Sequence, residues 1–364
     1  MNKLKKIGLT ALATSLVASS GYAADVSVVG NTGFTFSTQN GNSGDPAADH
    51  GKGFGTDNSM TFSHSGELDN GWSVSASTAL TDAFALTSSS VTLTMGDMGS
   101  IASGSGFGGN SASFDEEVPF AYEQVDDGSG GGASSMNTVG SANDNGGIHY
   151  TAPALDLMGA TATIKLGYVP KAEDTFVAGG ATTGSADVGS GQDAGITISH
   201  DSGLTLGVYG AQRTRLLTGQ QDAFEGSWYA KYSMGPVSFG YQESYADSGV
   251  TTAAEATGTN KTFDSAGGYF SANLMSIAFN VNDNLSVSYA KLEDTYDAQA
   301  GAAAAVTTGG AAVADVTMDM KSIQAAYSMG SMSIKAYRTS TDNPRWDSGG
   351  DTVTVNEIAL GLSF

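Results

Sequence analysis

The chain offers little material for covalent catalysis. It contains no cysteine, its four histidines stand singly, and the nucleophile-elbow, zinc-peptidase and P-loop motifs do not occur. A G-x-G-x-x-G spacing begins at Gly104, but with fifty glycines in the chain such a match is expected by chance. We therefore predict a protein that is not an enzyme and that holds no metal in a histidine or cysteine site.

The most concentrated chemical feature is a run of carboxylates in residues 115–127, interleaved with apolar side chains such as Phe114 and Val118. Its members are Asp115, Glu116, Glu117, Glu123, Asp126 and Asp127. Carboxylates beside confined water attract cations and oppose anions, so this run predicts the sorting of ions by charge. Thirty-seven acidic against fifteen basic residues give the chain a net charge of −22, which leaves no electrostatic footprint for a nucleic acid.

The first 23 residues predict a secretory signal peptide. A basic start is followed by an apolar stretch over residues 7–18 and then by small residues, with cleavage expected between Ala23 and Ala24. This leader contains three lysines and no acids, so its removal changes the net charge from −22 to −25. An exported acidic chain without a lipidation or stop-transfer signal predicts a bacterial envelope protein.

Period-two alternation recurs throughout the rest of the chain. Trp72, Val74 and Ala76 alternate with serines, and Leu204 and Leu206 alternate with small or polar residues. This is the pattern of a strand with one apolar face. The residues in the other phase are mostly Ser, Thr, Gly, Gln and Lys, and we expect that face to be too polar to pack a dry core.

The connections between these segments decide the fold class. Tight turns alternate with polar segments of roughly six to forty residues. Several loops longer than about 15 residues are uncommon in compact soluble domains, whereas transmembrane barrels combine short periplasmic turns with long outer loops. We therefore predict an all-β fold, a transmembrane antiparallel β-barrel of 16 strands within residues 24–364. The predicted strands are residues 24–37, 58–66, 71–81, 88–96, 98–105, 146–153, 159–170, 192–200, 203–213, 224–234, 236–246, 265–281, 284–293, 319–329, 331–340 and 352–364.

Aromatic side chains near the ends of these spans fit the interfacial girdles of such barrels. Trp72, Tyr245, Phe270 and Phe364 are the examples that the sequence offers. The last strand also places Ile358 in the same phase as the terminal Phe364.

This C-terminal pattern resembles the signal by which the barrel-assembly machinery recognises Gram-negative outer-membrane proteins. Together with the leader and the sixteen strands, it makes the chain similar to the general porins of Gram-negative bacteria, the alphaproteobacterial type in particular. The resemblance implies a homotrimer in the outer membrane, in contact with lipid and lipopolysaccharide.

Porins of this family narrow a water-filled lumen with a third loop that folds inward. Residues 106–145, called the acidic loop below, fall in the position of that loop, so the resemblance makes the acidic run the pore constriction. Glycines at 103–110 and 128–133 would let the backbone turn into and out of the lumen. A solvated loop that projects outward is the alternative.

The resemblance also implies a cluster of bases across the lumen from the acids. The inward phase offers Lys165, Arg213, Lys231 and Lys335 as this basic wall, with Arg215 in the phase of Arg213. Residues 58–105 contain neither lysine nor arginine, although many family members carry arginines there. A solvated position at the rim is the alternative for each base.

These features predict passive diffusion of small hydrophilic solutes and ions, with weak cation selectivity because of the acid excess. A substrate-specific channel, a structural or adhesive barrel without transport, and a secreted soluble β-protein stay open as alternatives. No cofactor is expected. The polar residues 143–145 could bind Ca²⁺ or Mg²⁺, with plain hydration as the alternative.

Overall fold

The computed structural model describes residues 25–41, 51–81, 85–126, 134–136, 146–170, 188–216, 220–249, 268–297, 315–348 and 350–363. The predicted signal peptide with Ala23 and Ala24, the loop residues Asp127 and 143–145, and the terminal Phe364 lie outside these ranges. No helix in the described ranges is long and apolar enough to cross a membrane.

Strands make up nearly all of the regular structure. They are β1 (Asp25–Asn40), β2 (Gly51–Glu67), β3 (Ser73–Leu80), β4 (Leu86–Thr94), β5 (Ser100–Ser105), β6 (Ile148–Thr151), β7 (Leu155–Asp156), β8 (Ala160–Val169), β9 (Val188–His200), β10 (Leu204–Arg215), β11 (Ala223–Met234), β12 (Val237–Asp247), β13 (Tyr269–Asn280), β14 (Leu285–Asp297), β15 (Val316–Met329), β16 (Met332–Asp342) and β17 (Val353–Ser363).

The strands form one closed antiparallel sheet. Each pairs with its neighbours in the chain, and β1 pairs with both β2 and β17. Both β6 and β7 pair with β8 on either side of residues 152–154, where Pro153 cannot donate to the ladder, so the two count as one crossing strand. This confirms the predicted sixteen-strand barrel.

The two faces of the sheet differ sharply in exposure. On β11, Phe224, Trp228 and Tyr232 are 48%, 41% and 38% exposed, whereas Glu225 and Tyr229 are each 2% exposed. The exposed apolar phase forms the outer face of the barrel and the other phase the inner face. A closed sheet pairs its own backbone groups and can therefore present this apolar outer face to lipid.

Several strands extend further than the hydrophobic pattern predicts. β2 begins at Gly51 and β14 continues to Asp297. In these extensions the backbone ladder continues with mostly small or polar side chains, Phe54 and Tyr296 being the exceptions. Thr295 and Thr317, for example, pair through their hydroxyls at 2.8 Å on neighbouring strands. Hydrophobic alternation marks only the part of a strand that meets lipid, so it underestimates strand length.

One side of the barrel interior is apolar, which differs from the expectation of a uniformly polar inner face. Leu274, Leu292, Met318 and Met320 are fully buried on the inner faces of β13 to β15. Phe270 belongs to the same cluster at 0% exposure. Its prediction as an outer girdle residue is therefore wrong, because its register on β13 turns it inward.

The outer face generates a stability prediction. Ile277 lies on β13 between Phe239 and Tyr289 of the neighbouring strands, and Ile277→Arg would place a guanidinium against hydrocarbon. We expect the free energy of unfolding from lipid vesicles to fall by about 2–4 kcal/mol. Denaturant titration of the refolded barrel measures it. Ser331→Arg in the exposed turn between β15 and β16 is the control, and equal stability of the two variants would contradict a lipid-facing β13.

Candidate functional site

The acidic loop crosses the inner faces of the strands on one side of the barrel. It leaves β5, and the ring of Phe107 first packs edge-on against His149 with centroids 5.2 Å apart. The backbone N–H of Asn110 then donates to His149 Nδ1 at 3.3 Å, and its side-chain amide donates to Asp193 Oδ1 at 2.8 Å. Gly106 and Gly109 have positive φ values there, as the predicted turn requires. Residues 128–133, the second glycine stretch, lie outside the described ranges.

Phe114 fixes the next part of the loop. Its ring is fully buried and stacks on Tyr209 with centroids 4.9 Å apart, beside Tyr229. A Cβ atom at Gly195 would lie 2.5 Å from this ring. Glycine on β9 thus leaves the space into which the loop packs.

Gln242 pairs with the loop backbone next to Phe114. Its side chain on β12 is 0% exposed, accepts the N–H of Glu117 at 2.6 Å and donates to the carbonyl of Phe114 at 2.7 Å. Lys231 holds the Glu117 side chain, with Nζ 2.5 Å from Oε2. Gln242 thus satisfies two loop peptide groups, and the Ser227 hydroxyl on β11 also donates to the carbonyl of Phe114 at 3.2 Å.

Gln324 repeats this arrangement on β15. It accepts the N–H groups of Tyr122 and Glu123 at 2.9 and 3.2 Å and donates to the carbonyl of Glu123 at 2.6 Å. Between the two glutamines, Ser276 donates to the carbonyl of Pro119 and Ser288 accepts the N–H of Ala121. The wall thus hydrogen-bonds the loop backbone over four successive strands.

Tyr122 reaches the last strands of the barrel. Its hydroxyl donates to Glu357 Oε1 at 2.9 Å, and Lys335 Nζ lies 4.8 Å from its ring centroid. Burial, followed by the Glu357 and Glu123 carboxylates, raises the pKa of the Tyr122 phenol well above its ordinary value. The phenol therefore stays protonated and continues to donate to Glu357 at neutral pH.

Apolar packing holds further described residues of the loop. Val118, Val125 and Met136 join the buried cluster on β13 to β15, which also includes Trp346. A Cβ atom at Gly240 would lie 2.6 Å from the Cβ of Val118, so a second glycine accommodates the loop. The apolar inner face is thus a docking surface for the loop.

The structure separates the predicted acids into two groups. Glu116 and Asp126 are 3% and 4% exposed, and Asp126 accepts the N–H of Ser134 at 2.7 Å. Asp115, Glu117 and Glu123 are only partly buried. Among the predicted acids that the structure describes, these three remain in reach of water.

The predicted bases lie along the same path. Lys165 donates to Ser113, Lys231 pairs with Glu117, and Lys335 lies over the ring of Tyr122. Arg213 lies near the end of β10, and Arg215 Nε donates to the carbonyl of Ser248 at 2.8 Å. The three lysines therefore contact the loop itself, whereas the resemblance implies bases that face the acids across the lumen.

Sequence reasoning missed the two glutamines and the two glycines that receive the loop. Gln242 and Gln324 stand in the inner phase among serines and glycines, and neither carries a charge. A glutamine among smaller inner-phase residues is a usable signal, since it can pair with both groups of a peptide unit.

Neither the family models nor the curated protein sequences give a match to this chain. Solved structures match over nearly its whole length. A solved porin structure is 16% identical with a TM-score of 0.62, covering 93% of this chain and 100% of that one. The anion-selective porin from Comamonas acidovorans is 13% identical with a TM-score of 0.59, covering 94% and 100%. Salmonella typhi OmpF in complex with daunomycin is 12% identical with a TM-score of 0.66, covering 93% and 97%.

At these identities the likeness concerns the fold. The chain has the closed-barrel fold of porins, and its apolar outer face together with that architecture indicates the outer membrane of a Gram-negative bacterium.

Gln324→Met tests the anchoring of the loop. It keeps the side-chain volume but leaves the N–H groups of Tyr122 and Glu123 without their acceptor, at a cost of about 1–3 kcal/mol. We expect hydrogen exchange of loop amides 115–126 to accelerate by roughly five- to a hundredfold, measured by mass spectrometry. Gln192→Met on the outer face is the control. Unchanged loop exchange in Gln324→Met would disprove the anchor.

Tyr122 makes the loop sensitive to alkali. Because its pKa is higher in the folded barrel, the stabilisation is complete below the ordinary phenol pKa of about 10 and is lost as pH rises further. We expect the wild-type barrel to lose more unfolding free energy between about pH 9 and 12 than Tyr122→Phe does. Chemical denaturation in detergent at each pH measures this. Parallel losses in both proteins would rule out the effect.

Proposed function

We propose that the protein is a passive diffusion channel for small hydrophilic solutes and ions. The observation that supports this best is the contrast between the two faces of the barrel. The outer face is apolar, and the inner face of β2 to β4 carries hydroxyl groups that water can reach. Such a barrel offers polar molecules a wet path across a membrane.

The acidic loop serves as the constriction in this proposal. Its described part contacts inner-face residues from β6 to β17, among them Lys165, Gln242 and Glu357. A segment held along one wall narrows the lumen and brings its partly exposed acids to the water that remains.

Weak cation selectivity follows from these acids. Asp115, Glu117 and Glu123 would attract cations into the narrow region, and the chain without its leader carries a net charge of −25. The fold alone does not decide whether cations or anions are preferred, since one similar structure is described as an anion-selective porin. The side chains at the constriction decide it.

The envelope features complete the proposal. Residues 1–23 direct export and are cleaved between Ala23 and Ala24, and the strand that ends at Phe364 is recognised by the barrel-assembly machinery. The mature barrel forms a homotrimer of the general-porin kind, surrounded by lipid and lipopolysaccharide. Each of these statements rests on the sequence pattern and on the resemblance to porins.

Opposite charge changes at one ion pair test the channel and its selectivity. Glu117→Gln removes an acid and leaves Lys231 positive, so the preference for K⁺ should fall; Lys231→Met leaves Glu117 negative, so the preference should rise. Reversal potentials across a planar bilayer under a KCl gradient measure both. Asp283→Asn in an exposed turn is the charge-matched control.

Three outcomes would reject parts of this proposal. An anion preference of the wild-type channel excludes cation selectivity. Saturable transport of one solute class indicates a substrate-specific channel. The absence of any conductance from a correctly folded barrel indicates a structural or adhesive protein.

A further inference from the structure

The described residues of the acidic loop leave the inner faces of β2 to β4 uncovered, and these faces are rich in hydroxyl groups. We call Ser63, Ser65, Ser75, Ser77, Ser90 and Thr92 the hydroxyl wall. They stand in the inner phase of β2 to β4, and register places them in two adjacent rows, Ser63 beside Ser77 and Ser90, and Ser65 beside Ser75 and Thr92. The first row continues to Gly104 on β5, two residues before the acidic loop begins.

Exposure separates this wall from the part of the interior beneath the described loop residues. All members of the hydroxyl wall are exposed or partly exposed, whereas Gln242, Leu292 and Ser322 in the inner phase of β12, β14 and β15 are buried beneath the loop. A cavity of about 360 Å³ runs along the hydroxyl wall, with Asp25 at its edge. The water-filled part of the described barrel therefore includes this wall.

The hydroxyl wall carries no positive charge. The chain contains neither lysine nor arginine between Lys52 and Lys165, and β1 contains none either. Lys165, Lys231 and Lys335 contact the loop from the opposite wall. The partly exposed acids of the loop therefore have a wall without lysine or arginine across the water.

We infer that solutes cross along the hydroxyl wall, and that this wall makes the channel favour neutral polyhydroxylated solutes and cations over anions of equal size. This inference rests on the proposed channel function. Serine and threonine hydroxyls both donate and accept hydrogen bonds, so they replace the water around a sugar-like solute at little cost. An anion finds no counter-charge on this wall while it passes the acids.

The absence of cysteine from the chain allows a direct test after folding. In Ser77→Cys, a cationic methanethiosulfonate reagent attaches a positive group to the hydroxyl wall of the refolded barrel. We expect the reversal potential to shift towards anion preference and the swelling of proteoliposomes in a neutral sugar to slow. The anionic reagent should slow sugar entry equally and shift the reversal potential the other way.

Ser288→Cys provides the matched control. Ser288 is an inner-phase serine of β14 that accepts the N–H of Ala121 beneath the loop. The thiol of this variant should react at least about tenfold more slowly than the thiol of Ser77→Cys, because the reagent reaches it only when the loop opens locally. Reaction of both variants at the same rate would overturn the distinction between the covered and the open wall.

The outcomes separate this inference from the proposed function. Two results with Ser77→Cys refute the hydroxyl wall as the path and leave the channel intact: a conducting barrel whose introduced thiol stays unreactive, or one that keeps its selectivity and sugar entry after the thiol is modified. A folded barrel that never conducts refutes the channel itself. Faster swelling in an anionic solute than in a neutral sugar of equal size, with the unmodified protein, refutes the inferred preference.

Discussion

Pairing of β1 with both β2 and β17 is the contact on which the whole structure depends. A peptide group that faces hydrocarbon has no water to replace a missing partner, so an open edge between these strands would be too costly in a membrane. Closure separates two faces that meet different solvents. Along each strand, every second residue then meets lipid, and the residues between them meet the interior. One period-two alternation in the sequence therefore specifies both faces.

The acidic loop divides the inner wall into a part that it covers and a part that stays open to water. Gln242 and Gln324 supply the hydrogen-bond partners that a loop lacks, while Phe114 and Val118 enter spaces left by glycines on the wall. Satisfied peptide groups and buried apolar area act together here to hold a segment rich in carboxylates. The contacts that hold the loop against one part of the inner wall thus leave the wall of β2 to β4 open to water.

Charge follows the same division. Lysines on the inner wall contact the loop and offset part of its negative charge, and Glu117 with Lys231 is the clearest pair. The inner face of β2 to β4 carries hydroxyl groups and no base, and Asp57 on β2 adds a carboxylate to it. Such a channel would select solutes by the acids on one side of the lumen and by hydrogen bonds to hydroxyl groups on the other. This differs from a transverse field between acids and bases.

The sequence by itself determined the fold class, the sixteen strands and the acidic segment, because alternation and turn residues are local properties of the chain. It did not determine that Phe270 points inward, nor which groups meet the loop. Glu117 meets Gln242 across 125 residues and Tyr122 meets Glu357 across 235. Such contacts depend on barrel closure and on the register of every intervening pair, since a slip of one residue exchanges inner and outer faces. Only the tertiary structure decided that the lysines contact the loop while hydroxyls line the open wall.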